Sequence, residues 1–313
     1  MFHDILTAIE SYDSIAIYRH ANPDGDAFGA QFGMKQWILD HYPTKQVVAI
    51  GIDNDMHDYF PTCQAEVTLD WANTLALVLD CANVARLDNA DHLFECGKIV
   101  KIDHHPNVES FGNPCYVDTT SAATCQILVE LFASSGLGMS KQVATYLAFG
   151  IVTDSVNFAA AYTSTKTFNA FALCLQQGID HVELFKVTSQ LPFHQYQAIT
   201  FMRNHICVEN GVAYCILDYD HVKDAGFSMD EIKDHVNVMK GIRDVEAWAM
   251  FHQLETGTYR VSLRSYRANI NQVAIKHNGG GHLQASGCNA SDNDEIKCIL
   301  DELMQVVKEY KNA

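Results

Sequence analysis

Short apolar runs that alternate with helical patterns constrain the first half of the chain more than any other feature. Strands connected through helices pair in parallel, and helices then cover both faces of their sheet. The sequence therefore predicts a doubly wound, mostly parallel α/β domain that opens with a short N-terminal helix. Its strands are predicted at "SIAIY" (14–18), "QVVAI" (46–50), "TLALVL" (74–79) and "KIVKI" (98–102), and its later helices at 29–39, 121–135, 140–152 and 165–178.

The pattern changes after about residue 205. "HICVENGVAYCILDY" predicts two strands joined by an Asn-Gly turn, which suits a tight hairpin, and a second hairpin is predicted around Gly257. Helices near 229–240 and 292–311 complete a smaller α+β domain. We therefore expect a first domain over 1–185, a helical linker over 186–204 and a second domain over 205–313.

Composition limits the classes of function. The formal net charge of −17 argues against a protein that binds long duplex nucleic acid through its whole surface. Ten cysteines occur singly, without a C-x-x-C pair, which favours free thiols in a reducing cytoplasm over a disulfide framework. No apolar stretch approaches the ~20 residues that span a bilayer, and the acidic N-terminus does not resemble a signal peptide. A cytoplasmic protein without membrane segments is expected.

Four acidic motifs follow strands or end helices in the first domain. The carboxyl ends of parallel strands meet at one edge of a sheet, so acids far apart in sequence are expected to converge there. Several carboxylates stay ionised together only if cations compensate them. Mixed Asp and His ligands suit Mn²⁺ or similar ions, and paired ions ~3.5–4 Å apart activate water for attack on phosphorus. The motifs are "YRHANPDGDAFGA" (18–30), "VLDCANVAR" (78–86), "KIDHHPN" (101–107) and "GIVTDSVNF" (150–158).

Each motif alone also fits an ordinary structural role. "NPDGD" is typical of a turn, Asp80 could cap a following helix, Asp154 could belong to a turn, and adjacent histidines often lie on the surface. The presence of all four motifs at the ends of successive elements favours a shared site.

The four motifs, in this order, resemble those of the DHH phosphoesterase superfamily over residues 1–185. The resemblance implies that His20, Asp24 and Asp80 bind one metal ion. It implies that Asp26, Asp80, His104 and Asp154 bind a second ion, with Asp80 bridging the two. His105 would contact the scissile phosphate, and Asp103 would orient a ligand histidine by a hydrogen bond.

The second domain contains a basic, glycine-rich stretch. No acidic residue lies between Glu255 and Asp292, and three consecutive glycines occur within "NGGGHLQASG" (278–287). Such glycines can simply form a flexible turn, but they also let a backbone approach phosphate oxygens closely. The stretch resembles the DHH-associated substrate-binding domain over 205–313. That resemblance implies substrate contacts by Arg264, Gly280, Gly281 and His282, with Arg267 a weaker candidate.

The resemblance implies a two-metal phosphoesterase with its active site in the cleft between the domains. Within the superfamily the chain is most similar to bacterial nanoRNases and phosphatases of 3′-phosphoadenosine 5′-phosphate (pAp). The implied substrates are short RNA oligonucleotides, linear dinucleotides such as pApA, and pAp, in an order of preference that stays open. Mn²⁺ is the expected ion, with Mg²⁺ or Co²⁺ as alternatives. The sequence does not decide between a monomer and a homodimer. The alternative functions are a DHH-type inorganic pyrophosphatase, a single-strand exonuclease and a non-catalytic nucleotide sensor.

Overall fold

The structure is a computed structural model that describes residues 1–54, 58–233 and 235–312. These residues form two compact units, Met1–Gln190 and Leu191–Ala313. The stretch predicted as a linker contains the end of helix α6 (His181–Ser189) and helix α7 (Phe193–Arg203). Within the described residues, no helix combines the length and the apolar composition needed to cross a bilayer.

The first unit is built on a five-stranded sheet in which every strand pair is parallel. The predicted fold class is confirmed, and the four predicted strands agree with the structure to within one residue. The fifth strand was missed because three half-buried residues are too few to show a strand pattern. The strands are β1 (Ser14–Tyr18), β2 (Gln46–Ala49), β3 (Thr74–Leu79), β4 (Lys98–Asp103) and β5 (Cys115–Val117), in the order β2-β1-β3-β4-β5.

The two faces of this sheet are covered differently. One face packs against the main helices in the larger apolar core, as predicted. The other face is covered by short 3-10 helices, such as Trp71–Asn73 and Val84–Arg86, instead of α-helices. The β3–β4 connection consists of turns and short 3-10 helices instead of one long helix. The helices of this unit before α6 are α1 (Phe2–Ser11), α2 (Gly25–His41), α3 (Thr124–Ser135), α4 (Lys141–Asp154) and α5 (Thr165–Gln176).

Helices α2 and α4 approach each other closely along a row of glycines. Gly25, Gly29 and Gly33 are spaced four residues apart on one face of α2. A Cβ at Gly29 would collide with the main chain of α4, 3.2 Å from the Gly150 nitrogen and closer still to the carbonyl oxygen of Tyr146. The close approach places the C-terminus of α4 beside the N-terminus of α2.

The second unit is built on a six-stranded mixed sheet. Both predicted hairpins are confirmed: Asn210 and Gly211 have positive φ angles of 48° and 82°, as the tight turn requires, and the second hairpin turns around Gly257. Only the pair β7–β8 is parallel among the described strands of this sheet. The strands are β6 (Ile206–Glu209), β7 (Val212–Leu217), β8 (Ala247–Gln253), β9 (Tyr259–Ser265), β10 (Gly280–His282) and β11 (Ala285–Ala290), in the order β10-β11-β9-β8-β7-β6.

Helices pack on both faces of the second sheet. The predicted C-terminal helix is α11 (Asn293–Asn312), which shares an apolar core with α10 (Asn271–Lys276) on one face. The helix predicted near 229–240 consists of α9 (Met229–Ile232) and a 3-10 turn, and Asp234 of that stretch lies outside the described residues. The preceding helix is α8 (Tyr219–Asp224). All ten cysteines are described and are free thiols, as predicted.

We expect Gly29→Val to destabilise the first unit because its side chain would force α2 and α4 apart. Overpacking of this kind lowers the free energy of unfolding by about 2 kcal/mol. Calorimetry of the full chain measures the effect as a lower transition temperature. Gln36→Val, at a half-buried position of the same helix, is the matched control. Equal transition temperatures for the two variants would contradict the close-packing explanation.

Candidate functional site

The acidic and histidine motifs of the first unit converge at the carboxyl ends of the strands. His20 follows β1, Asp80 follows β3, and His104 follows β4. Because β1 lies between β2 and β3, the strand order reverses there, and parallel α/β sheets bind ligands at such a point. Asp154 arrives from the opposite direction as the last residue of α4.

Asp80 lies at the centre of this cluster and is almost fully buried. Its φ angle of 55° is unusual for a residue other than glycine, and such backbone conformations often occur at functional sites. One carboxylate oxygen, Oδ2, lies 3.4 Å from Nε2 of His20. The other, Oδ1, lies 3.5 Å from Nε2 of His104. A single carboxylate thus faces two separate groups of possible ligands.

Two groups of three side chains, one of which includes Asp80, correspond to the two predicted metal sites. His20, Asp24 and Asp80 offer ligand atoms that all lie within 4.8 Å of one another, and so do Asp26, His104 and Asp154. The structure therefore brings together all six residues predicted as metal ligands. Their role as ligands stays a prediction.

His104 shows that this cluster is suited to a cation. Its Nδ1 lies 3.3 Å from the Ser121 carbonyl oxygen, which favours a proton on that nitrogen. Its Nε2 is buried and has no hydrogen-bond partner within the residues that the structure describes. That nitrogen lies 3.2 Å from Asp154 and 3.8 Å from Asp26. A buried lone pair that faces carboxylate oxygens is unfavourable by itself and becomes favourable when a metal ion lies between them.

The electrostatics of the carboxylates agree with this conclusion. Burial, together with the charges of Asp24 and Asp80, raises the pKa of Asp154 to about 8. Burial and the neighbouring carboxylates also raise the pKa of Asp26 well above its usual range. Burial acts to raise the pKa of Asp80 too, but the hydrogen bond with His20 and the nearby histidines outweigh it and lower that pKa. Cations in the cluster would remove the cost of ionising all these acids.

The N-terminus of α3 holds Asp26 in place, and sequence analysis missed this contact. The backbone N–H of Thr124 donates to Oδ2 of Asp26 at 2.6 Å, and that of Cys125 donates to Oδ1 at 2.9 Å. The Thr124 hydroxyl also donates to Asp80 at 3.1 Å. Free N–H groups and the helix dipole make a helix N-terminus a good partner for a carboxylate. The available signal was the run of small residues before α3, "SAAT" at 121–124.

Asp103 has a different partner from the one expected. It was predicted to orient a ligand histidine, but its Oδ1 accepts from the ring of His105 at 2.9 Å and from the His105 backbone N–H at 3.1 Å. The Ser121 carbonyl orients His104 instead. The cause is local, because Asp103 ends β4 and the chain turns directly after it. The predicted contact of His105 with the phosphate stays a prediction.

A strained turn follows Asp154. Val156, Asn157 and Phe158 have positive φ angles of 52°, 54° and 64°, which is rare for a β-branched residue such as Val156. The ring of Phe158 stacks on Phe168, 4.9 Å between centroids, and that contact holds the turn from its far side.

The residues predicted to bind substrate lie in the second unit. Arg264, Ala285 and His282 are directly opposite one another across three antiparallel strands, so their side chains share one face of the sheet. Arg264 and Gly280 line a cavity of about 670 Å³, and no acidic residue is among its described lining residues. Gly281 and His282 are not among the residues that line this cavity.

The glycine run has a structural explanation besides ligand binding. A Cβ at Gly279 would collide with the carbonyl oxygen of Gly287, and Gly281 has a φ angle of 136°. The run forms the start of strand β10 rather than a flexible turn. Close packing therefore requires glycine at 279, whereas a Cβ at Gly280 would meet nothing.

Comparisons with known proteins agree with this geometry. Residues 14–151 match the model of the DHH family, N-terminal domain, and residues 209–309 match the DHHA1 domain. The chain is 33% identical to a probable bifunctional oligoribonuclease and PAP phosphatase NrnA of Streptococcus mutans, over 98% of this chain and 99% of that protein. It is 29% identical to the bifunctional oligoribonuclease and PAP phosphatase NrnA of Bacillus subtilis, over 98% and 99% of the two chains.

The same fold occurs in a solved structure. An exopolyphosphatase-related protein from Bacteroides fragilis superposes with a TM-score of 0.82 at 21% identity, over 99% of this chain and 96% of that one. At this identity the likeness concerns the fold alone.

We expect Asp80→Asn to weaken divalent-ion binding by about tenfold or more, because both groups lose the charge that they share. Calorimetric titration with Mn²⁺ measures the stoichiometry and affinity, and circular dichroism checks that the fold is intact. Asp91→Asn, at an exposed position of the same unit, is the matched control. Wild-type stoichiometry and affinity in Asp80→Asn would contradict the central role of this carboxylate.

Proposed function

Because the chain belongs to the DHH family and ends in a DHHA1 domain, we propose that it is a metal-dependent phosphoesterase that hydrolyses short oligoribonucleotides and pAp. Two relatives that it matches over nearly its whole length are named as bifunctional oligoribonucleases and PAP phosphatases. The DHHA1 match in the second unit favours these activities over an inorganic pyrophosphatase. The ten free thiols support the proposed cytoplasmic location.

The observation that carries this proposal is the position of Asp80 between two ligand groups. Its two carboxylate oxygens face His20 at 3.4 Å and His104 at 3.5 Å. This arrangement suits one carboxylate shared by two ions. Carboxylate and imidazole ligands without a thiolate suit Mn²⁺, the ion proposed here, and Mg²⁺ or Co²⁺ are the alternatives.

Two divalent ions bound by these six residues would supply an activated water and neutralise the charge that develops on the phosphoryl group. The protein itself keeps the ligands in position before substrate arrives. The N-terminus of α3 fixes Asp26 through two backbone N–H groups, and the Ser121 carbonyl fixes the ring of His104. Ligands held in this way need little reorganisation during the reaction.

His105 is proposed to contact the phosphate group. Asp103 holds its Nδ1, so its Nε2 is free of that contact, and about a third of the side chain is exposed to solvent. The Asp103 hydrogen bond raises the pKa of His105, which favours the protonated ring that an anionic phosphate attracts.

The proposed reaction uses no covalent nucleophile of the protein. Cys81, which follows Asp80, is buried, and burial raises the pKa of its thiol to about 11. A thiol with that pKa is protonated at neutral pH and is therefore a poor nucleophile. Attack by water agrees with this arrangement.

The second unit is proposed to bind the nucleotide part of the substrate. The cavity beside Arg264 also contains Arg260 and Asn278, and its lining is basic and polar. Such a surface suits a phosphate group, and a pocket of limited size favours short substrates over long ones.

We expect the protein to release phosphate from pAp and mononucleotides from pApA and short RNA when Mn²⁺ is present. The assay compares pAp, pApA and end-labelled RNA oligomers of increasing length, with product separation by chromatography. Rates should fall as the oligomer lengthens, and chelation should abolish all of them. The absence of hydrolysis of every substrate by a folded, Mn²⁺-loaded protein would overturn the proposed function.

We expect Arg264→Ala to raise the KM for pAp by about tenfold, because a charged hydrogen bond to phosphate is lost. The value of kcat should change much less, since Arg264 does not belong to the metal cluster. Steady-state kinetics measures both values. Arg243→Ala, at an exposed arginine of the same unit that does not line the cavity, is the matched control and should retain the wild-type KM. Equal KM values for the two variants would contradict the proposed contact of Arg264 with the substrate.

A further inference from the structure

The second unit contains a cluster of metal-ligating side chains that the proposed function does not use. His277 follows α10, and Cys298 and Glu302 lie one turn apart on α11. A ring nitrogen, a thiol sulfur and a carboxylate oxygen of these residues all lie within 4.8 Å of one another. We propose that His277, Cys298 and Glu302 form a separate binding site for a transition-metal dication, with Zn²⁺ as the expected ion.

The surroundings of His277 prepare it for metal binding. Its Nδ1 lies 3.0 Å from a carboxylate oxygen of Glu295, which favours a proton on that nitrogen. The opposite nitrogen, Nε2, is buried and has no hydrogen-bond partner in the described part of the chain, and only 9% of the residue is exposed. A histidine whose second nitrogen donates to a carboxylate is the usual arrangement of a metal-binding histidine.

Glu302 presents its oxygen Oε2 to the same place. This atom is buried and has no hydrogen-bond partner among the described residues, although it forms an ion pair with Lys276. The distance from this oxygen to Nε2 of His277 is 3.8 Å, which is too long for a hydrogen bond. Two ligands of a tetrahedral ion with bonds of about 2 Å lie about 3.3 Å apart, so a shift of about 0.5 Å would bring these atoms to that spacing. Lys276, whose side chain is largely exposed, lies 3.3 Å from the same oxygen and can turn to solvent when an ion binds.

The ligand types favour Zn²⁺ over the ions proposed for the first unit. Thiolate and imidazole are soft or borderline ligands, which suit Zn²⁺ and Co²⁺ better than Mg²⁺ or Ca²⁺. Three protein ligands leave a fourth position open for water. Cys298 is exposed and provides the entry path for the ion.

An ion at this site would connect two parts of the second unit. His277 directly precedes Asn278, which lines the cavity proposed to bind nucleotide, whereas Cys298 and Glu302 belong to the long helix α11. The bound ion would therefore fix the start of the glycine run against α11. The site goes beyond the proposed function, and its test does not need enzymatic activity.

Titration of the full-length, reduced protein with Co²⁺ under anaerobic conditions tests the proposal. A thiolate bound to Co²⁺ gives a charge-transfer absorption band in the near ultraviolet, and the ligand groups of the first unit contain no thiol. We expect the band in the wild type, its displacement by Zn²⁺ and its loss in Cys298→Ser. Cys207→Ser, at another exposed cysteine of the same unit, is the matched control and should retain the band.

Two further variants make the result specific. Asp80→Asn should retain the band, because the proposed ion lies outside the first unit's cluster. Glu295→Gln should retain the band but weaken Co²⁺ binding about 10- to 100-fold, as expected when the partner of a metal-binding histidine is lost. No band in the wild type, a band that survives Cys298→Ser, or a band that disappears in Asp80→Asn would each overturn the proposal. Unchanged affinity in Glu295→Gln would overturn the role of His277.

Discussion

The close contact of α2 with α4 is the constraint on which the rest of the first unit depends. Without side chains at Gly25, Gly29 and Gly33, the two helices can approach until their backbones touch. Asp24 and Asp26 lie at the start of α2, whereas Asp154 lies at the end of α4. The antiparallel contact therefore brings carboxylates from distant parts of the chain to the edge of the sheet. A wider spacing would leave the sheet intact and separate the proposed metal ligands.

The strand ends determine where the side chains of this cluster lie, and the helix ends determine how they are oriented. The parallel sheet places His20, Asp80 and His104 in a row, because successive strands end at the same edge. The helix ends then fix orientation: α3 holds Asp26 through backbone N–H groups, and α4 carries Asp154. Buried hydrogen bonds of this kind keep the carboxylates close together before any cation binds. Their mutual repulsion lowers the free energy of unfolding, and packing of the apolar core must offset that loss.

Much of the fold could be predicted from the sequence because its strands are buried on both faces and read as apolar runs. The strand β5 and the 3-10 turns could not, since three half-buried residues and turn-rich loops carry no period. The six expected ligands converge because their places at strand and helix ends are encoded locally. The partner of Asp103 was missed because a hydrogen bond within a turn depends on backbone angles that no spacing reveals. The cluster of His277 was missed because His277 follows α10 whereas Cys298 and Glu302 lie on α11, and no sequence spacing shows that these elements pack together.

The strained turn after Asp154 has a consequence for how this protein can vary during evolution. Backbone angles like those of Val156 cost about 1–3 kcal/mol each and persist only where neighbouring packing enforces them. Here Phe158 packs on two aromatic side chains, the buried Phe171 at 5.0 Å and the exposed Phe168 at 4.9 Å between ring centroids. Substitutions at Phe168 would therefore disturb the turn that follows Asp154, and selection would act against them. This surface aromatic residue should then vary less than exposed side chains that make no such contact.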